Sequence, residues 1–348
     1  MSPTLDGFRR LGTSGLRVSP LSLGTMTFGT EWGWGTAKDD CRRIFDAYVE
    51  AGGNFIDTAN FYTGGTSETF VGEFLAGRRD TLVVATKYAL AMRPGDPNSG
   101  GTHRKNLMQS IDASLARLRT DYVDILWLHA WDDTVPVEEV MRGLDDVVHA
   151  GKALYAGVSN APAWIVARAN TLAEARGWAP FAGAQMQYSL AERSVEREIM
   201  PMCGGLGIGV VAWSPLAGGV LTGKYARAEA GSKSALDESL RMESNRRRAN
   251  ERNLAIIVVI EAIAKETGRS PAQVAIRWAM QKPGVASVII GARTPAQLDD
   301  NLQAATFDLS ADQVQRLDAA SAIEMGYPHD YLRSGSVTRF LYGGAKID

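Results

Sequence analysis

The chain has 348 residues, 45% of them hydrophobic, and its 37 basic and 39 acidic side chains leave a formal net charge of -2. That length carries a sizeable core, as two domains or one large α/β barrel, and the near-neutral balance argues against a nucleic-acid footprint or a polybasic membrane patch. No apolar run approaches the ~20 residues that cross a bilayer, and the N-terminus MSPTLDGFRR has no signal-peptide core, so the expectation is a soluble cytoplasmic protein.

In chain order, Gly7 to Arg17, with its Thr13-Ser14-Gly15 turn, predicts a hairpin before the first barrel strand, capping the bottom of the barrel. Then VSPLSLG, a helix from Asp39 to Ala51, NFID, a helix from Ser67 to Ala76, and TLVVATK alternate as βαβ units. YVDILWLH, ALYAGVSN, FAGAQMQ, IGVVAW and VASVIIG continue the series, making eight strands in all. Eight such units fit a closed (β/α)8 TIM barrel, which needs roughly 250 residues, so residues 1–348 read as one barrel domain with additions. The additions are the hairpin at 7–17, a polar variable loop at 228–250 and a C-terminal tail at 325–348. Arg246-Arg247-Arg248 in the polar loop reads as a solvated helix face. A doubly wound sheet is the competing architecture, but no G-x-G-x-x-G follows a strand; GGLGIG, Gly204 to Gly209, carries a helix end into a strand instead. Cys41 and Cys203 stand far apart with no His or Cys at metal spacing, which leaves two buried thiols and no metal site.

Polar residues fall at the C-terminal ends of successive strands: Asp57 after NFI, Lys87 after VVAT, His129 after ILWL, and Ser159-Asn160 after YAGV. One such residue is commonplace as a cap or loop hydrogen-bonder; four in succession at the shared mouth of a barrel point to a site. A Tyr, a Lys, an Asp and a His with no Ser or Cys nucleophile motif suit proton transfer to a small substrate. Tyr62 is the natural acid, since a phenol with a pKa of about 10 donates more readily beside a cation such as Lys87. Asp57 then holds Lys87 charged, and His129 orients the substrate oxygen or relays a proton, although alone it reads as a core histidine.

The segments RRLGTSGLRVSPLSLGTMTFG, GGNFIDTANFYTGGTSE, VVATKY, YVDILWLHAWD, GKALYAGVSN, AQMQYSL, VAWSPLAGGVLTGKY and SVIIGARTPAQLDDNL resemble the aldo-keto reductase family over nearly the whole chain. The resemblance implies NADPH-dependent reduction of an aldehyde or ketone, reversible as alcohol oxidation, by hydride transfer from the nicotinamide C4. It makes Tyr62 the general acid and base, with Lys87 and Asp57 lowering its pKa and His129 orienting the carbonyl. For NADPH/NADP+ it implies Thr25, Met26, Asp57, Ser159, Asn160 and Gln185 near the nicotinamide, and Trp213 stacked on its ring. Ser214, Leu216, Gly219 and Lys224 fall to the pyrophosphate loop, and Gly291, Arg293, Gln297, Asp300 and Asn301 to the adenosine end. GGVLTGKY is a near miss to a P-loop, with Tyr225 where a magnesium ligand belongs. Thr294 and Pro295 are good opening residues for a helix after the last strand.

Phe28, Trp32, Trp34, Tyr88 and Trp131 fall on loops expected to line the substrate pocket, a large aromatic surface suited to bulky or aromatic carbonyl compounds. The chain departs from the family at Gly291-Ala292, where some members have Lys-Ser, at Gln297, where they have Arg, and at Thr63, where glycine is frequent. Two other readings compete: a cofactor-sensing regulatory subunit similar to the potassium-channel beta subunits of this fold, and a barrel enzyme for phosphate-linked substrates without a dinucleotide. The expected partner is a small carbonyl or alcohol, with no nucleic acid and no membrane; an oligomer is compatible with the sequence.

Overall fold

The computed structural model describes residues 5–224 and 250–345. The polar segment up to residue 249, with Arg246-Arg247-Arg248 and Tyr225, lies outside the described residues. A short antiparallel hairpin, β1 (Arg9–Arg10) and β2 (Arg17–Val18), precedes the main sheet. The strands of that sheet are β3 (Leu21–Gly24), β4 (Phe55–Asp57), β5 (Val83–Tyr88), β6 (Val123–Leu128), β7 (Ala153–Ser159), β8 (Phe181–Gln187), β9 (Gly209–Trp213) and β10 (Val285–Ile290). They pair in parallel in the order β10-β3-β4-β5-β6-β7-β8-β9 and close between β9 and β10, so the fold is the (β/α)8 barrel. Helices Lys38–Glu50 and Thr66–Phe74 begin one residue earlier than the sequence pattern places them. Among the described residues no helix is long and apolar enough to cross a membrane.

Successive side chains of a strand face opposite sides, and that alternation sorts the barrel residues into two layers, with register shifts where β10 meets β9 and β7 meets β8. Phe55, Val83, Ala85, Ile125, Trp127, Val211 and Ala286 pack inside the barrel, where Leu11 and Val18 of the hairpin join them from below. Ile56, Val84, Leu126, Leu128, Ala184 and Ala212 face outward into the larger core shared with the helices. The hairpin is fastened at that lower end by the Arg9 guanidinium, which donates to the Met280 and Val285 carbonyls at 2.8 and 2.9 Å. Trp127 fills the interior, and β7 makes room for it with a glycine: a Cβ on Gly157 would meet the indole at 2.2 Å.

GGLGIG behaves as its spacing predicts. Helix Ile199–Leu206 ends on Gly207 at φ 68°, and β9 starts at Gly209. Helix Pro295–Leu302 opens on Thr294, whose hydroxyl accepts from the Gln297 backbone N–H. The C-terminal tail carries two short helices, His329–Leu332 and Gly335–Tyr342.

Candidate active site

The same alternation aims the polar strand ends. Asp57 follows inward Phe55 by two, Lys87 follows Ala85, His129 follows Trp127, and Trp213 follows Val211, so all four point into the upper mouth. Tyr88 has the opposite parity. It is fully buried among helix-facing residues, its hydroxyl 3.5 Å from the Thr102 carbonyl, and lies away from the mouth.

Asp57 and Lys87 are each 1% exposed, so neither charge is held without a partner at that depth. The Lys87 ammonium has three hydrogens and three acceptors: Asp57 Oδ1, the Thr58 carbonyl at 2.8 Å and Tyr62 Oη at 3.1 Å. Because the phenol oxygen accepts from lysine, its own hydrogen is left to donate elsewhere. The second carboxylate oxygen of Asp57 accepts from Gln185 Nε2 at 2.7 Å. His129 stands edge-on to Tyr62, ring centroids 5.9 Å apart, with a buried Nδ1 that has no partner among the described residues.

Tyr62 reaches this point through a tight turn, Tyr62–Gly65, in which Thr63, Gly64 and Gly65 have φ of 48°, 66° and 101°. A β-branched residue at positive φ is strained, and local bonds hold it there. The Thr63 hydroxyl donates to the Phe28 carbonyl at 2.7 Å and accepts from the Ser67 N–H at 3.1 Å. Beneath it, the Ser67 hydroxyl donates to Thr25 O at 2.8 Å and lies 3.0 Å from the Thr58 hydroxyl, while Thr25 Oγ1 donates to the Asp57 carbonyl at 3.1 Å. The departure from glycine at position 63 is thus absorbed locally.

Burial pushes the Tyr62 phenol above the ordinary tyrosine range; Lys87 pulls it down and Asp57 pushes it up. Lys87 acts in the expected direction and Asp57 does not, because a carboxylate beside a phenol opposes its ionisation. Burial pushes the Lys87 pKa down, but Asp57 and Tyr62 outweigh it and leave the pKa above the ordinary lysine value, so the residue is a cation. His129 is pulled down to about 3, first by burial and then by the charge of Lys87. The mouth therefore holds a neutral phenol, a cation behind it and a neutral imidazole beside it. This set can give a proton to a substrate oxygen and take one back.

Around these residues lie features that fit a dinucleotide. Trp213 is half-buried at the end of β9, with its indole N–H buried and without a partner among the described residues. Ser159 is buried; Asn160, at φ 51°, donates to the His129 carbonyl at 2.8 Å and to the Ser159 hydroxyl at 2.9 Å. Ser214, Ala217, Gly218 and Gly219 all have positive φ, the kind of backbone that turns successive amides toward an anion. Leu216, at φ -98°, stands just before Ala217 and is half-buried, and Lys224 is exposed where the first described stretch ends. At the end of the neighbouring strand β10, Gly291 and Arg293 are exposed, and Gln297 accepts from the Arg293 N–H at 2.9 Å.

Thr25, Asp300 and Asn301 have side chains engaged by neighbouring groups. Thr25 is fully buried in the hydroxyl network, whereas Met26 is 44% exposed. Asp300 accepts from Ser270 Oγ at 3.0 Å and Gln273 Nε2 at 2.6 Å, an attachment to the preceding helix Pro271–Met280, and Asn301 donates to the Gly291 carbonyl at 3.3 Å. Of the aromatic loop residues, Trp32 gathers beside the phenol, 6.5 Å from Tyr62, with Trp34 at 5.3 Å and Phe61 at 5.8 Å from it. Phe28 is fully buried against Phe74, and Trp131 packs on the helix-facing core with its N–H buried. Phe61 escapes the sequence reading because it merely precedes the tyrosine. Glu68 escapes it too, although its position three residues before Val71 on the buried face of Thr66–Phe74 is a usable signal. Glu68 is fully buried, accepts from Thr86 Oγ1, and pairs with Arg117 Nε at 2.6 Å.

The model of the aldo/keto reductase family matches residues 20–322. The chain is 38% identical over 344 residues to norsolorinic acid reductase of Aspergillus flavus, covering 95% of this chain and 85% of that protein. It is 38% identical over 346 residues to aryl-alcohol dehydrogenase [NADP(+)] of Phanerodontia chrysosporium, covering 95% and 90%. An aryl-alcohol dehydrogenase of Pestalotiopsis microspora is 37% identical over 336 residues, covering 94% and 85%. The barrel, its mouth and these relatives lead to one conclusion: the chain belongs to the aldo/keto reductase family and is an oxidoreductase that acts on carbonyl and alcohol groups.

Proposed function

We propose that the protein reduces an aryl aldehyde or ketone with NADPH, and oxidises the corresponding alcohol in reverse, with Tyr62 as the proton donor and acceptor. The observation that carries this reading is the Lys87 ammonium shared between Asp57 and the Tyr62 oxygen at 3.1 Å. A bound nicotinamide supplies hydride to the carbonyl carbon and accepts it in reverse. Tyr62 gives its hydrogen to the carbonyl oxygen as negative charge develops there, and Lys87 stabilises the phenolate that remains. Neutral His129 has hydrogen-bonding capacity for the same oxygen without a cost in charge. Asp57 keeps Lys87 charged and in place.

Trp213 offers a flat face for the nicotinamide ring, Ser159 and Asn160 offer polar groups for its carboxamide, and the positive-φ residues Ala217, Gly218 and Gly219 offer amides for the pyrophosphate. Arg293 provides charge for a 2'-phosphate. The aromatic set of Trp32, Trp34 and Phe61 beside the phenol favours a planar, apolar substrate. Relatives named for aryl alcohols and for norsolorinic acid support the aryl class. A panel of carbonyl compounds with NADPH tests the reading. Faster turnover of aryl aldehydes and ketones than of aliphatic ones is expected, and no NADPH oxidation with any carbonyl would contradict it.

A further inference from the structure

The hydrogen-bonded series from Tyr62 through Lys87 does not end at Asp57. Gln185, on β8, lies across the barrel from β4 and is 3% exposed, and its Nε2 donates to Asp57 Oδ2 at 2.7 Å. The orientation of the amide is dictated by its partner: a carboxylate only accepts, so the NH2 end faces Asp57 and Oε1 is turned away. The two oxygens of Asp57 are thereby divided, Oδ1 to Lys87 and Oδ2 to Gln185. Lys87 in turn divides its hydrogens between Asp57, Thr58 and Tyr62. The result is a continuous chain, Gln185 to Asp57 to Lys87 to Tyr62, drawn from β8, β4, β5 and the turn after β4.

We propose that Gln185 is a positioning residue for proton transfer, acting through Asp57: its amide fixes the carboxylate so that Lys87 stays aimed at the Tyr62 oxygen. This rests on the reading of Tyr62 as the proton donor and acceptor. Asp57 and Tyr62 compete for the same ammonium. A buried carboxylate with one hydrogen-bonding partner concentrates its demand on that partner and is free to rotate; a second donor at Oδ2 stabilises the anion and holds its plane. Without the amide, Asp57 draws the ammonium more strongly, the bond from Lys87 to Tyr62 weakens, and phenolate becomes harder to form. Alcohol oxidation needs the phenolate as base, so its rate should then require a higher pH.

The test uses the full chain with saturating NADP+ and an aryl alcohol. Gln185→Met keeps the length of the side chain and removes the donor. The midpoint of the rise of kcat with pH should move up by about one pH unit, and kcat well below that midpoint should fall about tenfold. In an Asp57→Asn background, Gln185→Met should shift the profile no further, because its partner is already neutral. Binding of NADP+, followed by tryptophan fluorescence, separates a role confined to the cofactor: weaker binding with an unmoved midpoint would overturn the proposal. An equal shift in the Asp57→Asn background would also overturn it. If Gln185→Met does not fold, Gln185→Asn, which withdraws the donor by one carbon, is read by the same criteria. Tyr62→Phe in the same assay checks the underlying reading separately, since wild-type oxidation by that variant would remove the premise and leave the Gln185 shift without an explanation in Tyr62.

Discussion

The Thr63 hydroxyl donates to the Phe28 carbonyl at 2.7 Å, and this bond ties the turn carrying the phenol to the loop carrying Trp32 and Trp34. It also holds a β-branched residue at φ 48°. Thr63→Val keeps the strain and leaves the Phe28 carbonyl and Ser67 N–H without their partner, for a loss of about 2–4 kcal/mol. Thr63→Gly loses the same bonds but relieves a strain of about 1–2 kcal/mol. Urea unfolding should therefore rank stability as wild type, then Gly, then Val. Val above Gly would show that the hydroxyl is not what holds the turn.

Behind the same turn, Arg117 pairs with fully buried Glu68 and lies against Gly65, where an added Cβ would come within 3.0 Å of its Cδ. Arg117→Met leaves the carboxylate buried with the Thr86 hydroxyl alone. Removing one member of a buried pair costs about 3–5 kcal/mol, and the partial exposure of Arg117 places this case at the lower end. Thermal unfolding measures it; an unchanged Tm would mean that the pair contributes no net stability.

His129 gives a pH dependence with a definite sign. Its folded pKa, about 3, lies below the ordinary value of 6.5, so the folded state binds fewer protons between those limits. The stability that His129 contributes is complete above pH 6.5, falls as pH drops toward about 3, and is flat below. In His129→Asn that component disappears, and the fall in unfolding free energy between those pH values should be shallower than in the wild type. Identical slopes would mean that the imidazole is not withdrawn from water.

Arg293 is exposed just beyond the end of β10, where we propose the adenosine end of the cofactor lies. With Arg293→Ala, NADPH should bind about tenfold more weakly and NADH unchanged, since a lost charge-assisted contact acts only on the 2'-phosphate. Equal loss for both cofactors, followed by tryptophan fluorescence, would place the guanidinium away from that phosphate.

The barrel was legible in the sequence because its strands are short apolar runs separated by helical periods, and all eight, from VSPLSLG to VASVIIG, are present. Asp57, Lys87 and His129 were legible as polar residues where burial should continue. Proximity in sequence misled where parity decides: Tyr88 adjoins Lys87 yet faces the helices, and Phe28 adjoins the open loop yet packs on Phe74. Contacts between distant elements left no local trace. The pairing of Gln185 with Asp57, and of Glu68 with Arg117, comes from barrel closure and helix packing rather than from any motif. The opposing effects of Lys87 and Asp57 on the phenol likewise depend on depth and distance.

The role of Tyr62 as proton donor is tested most directly by steady-state turnover of an aryl aldehyde by Tyr62→Phe, with NADPH affinity measured alongside by tryptophan fluorescence. The variant loses the one hydroxyl that Lys87 holds at 3.1 Å and keeps the rest of the mouth. kcat should fall at least about a hundredfold with the NADPH Kd nearly unchanged, the loss expected when a positioned proton donor is removed. Turnover within a few-fold of wild type would contradict that role.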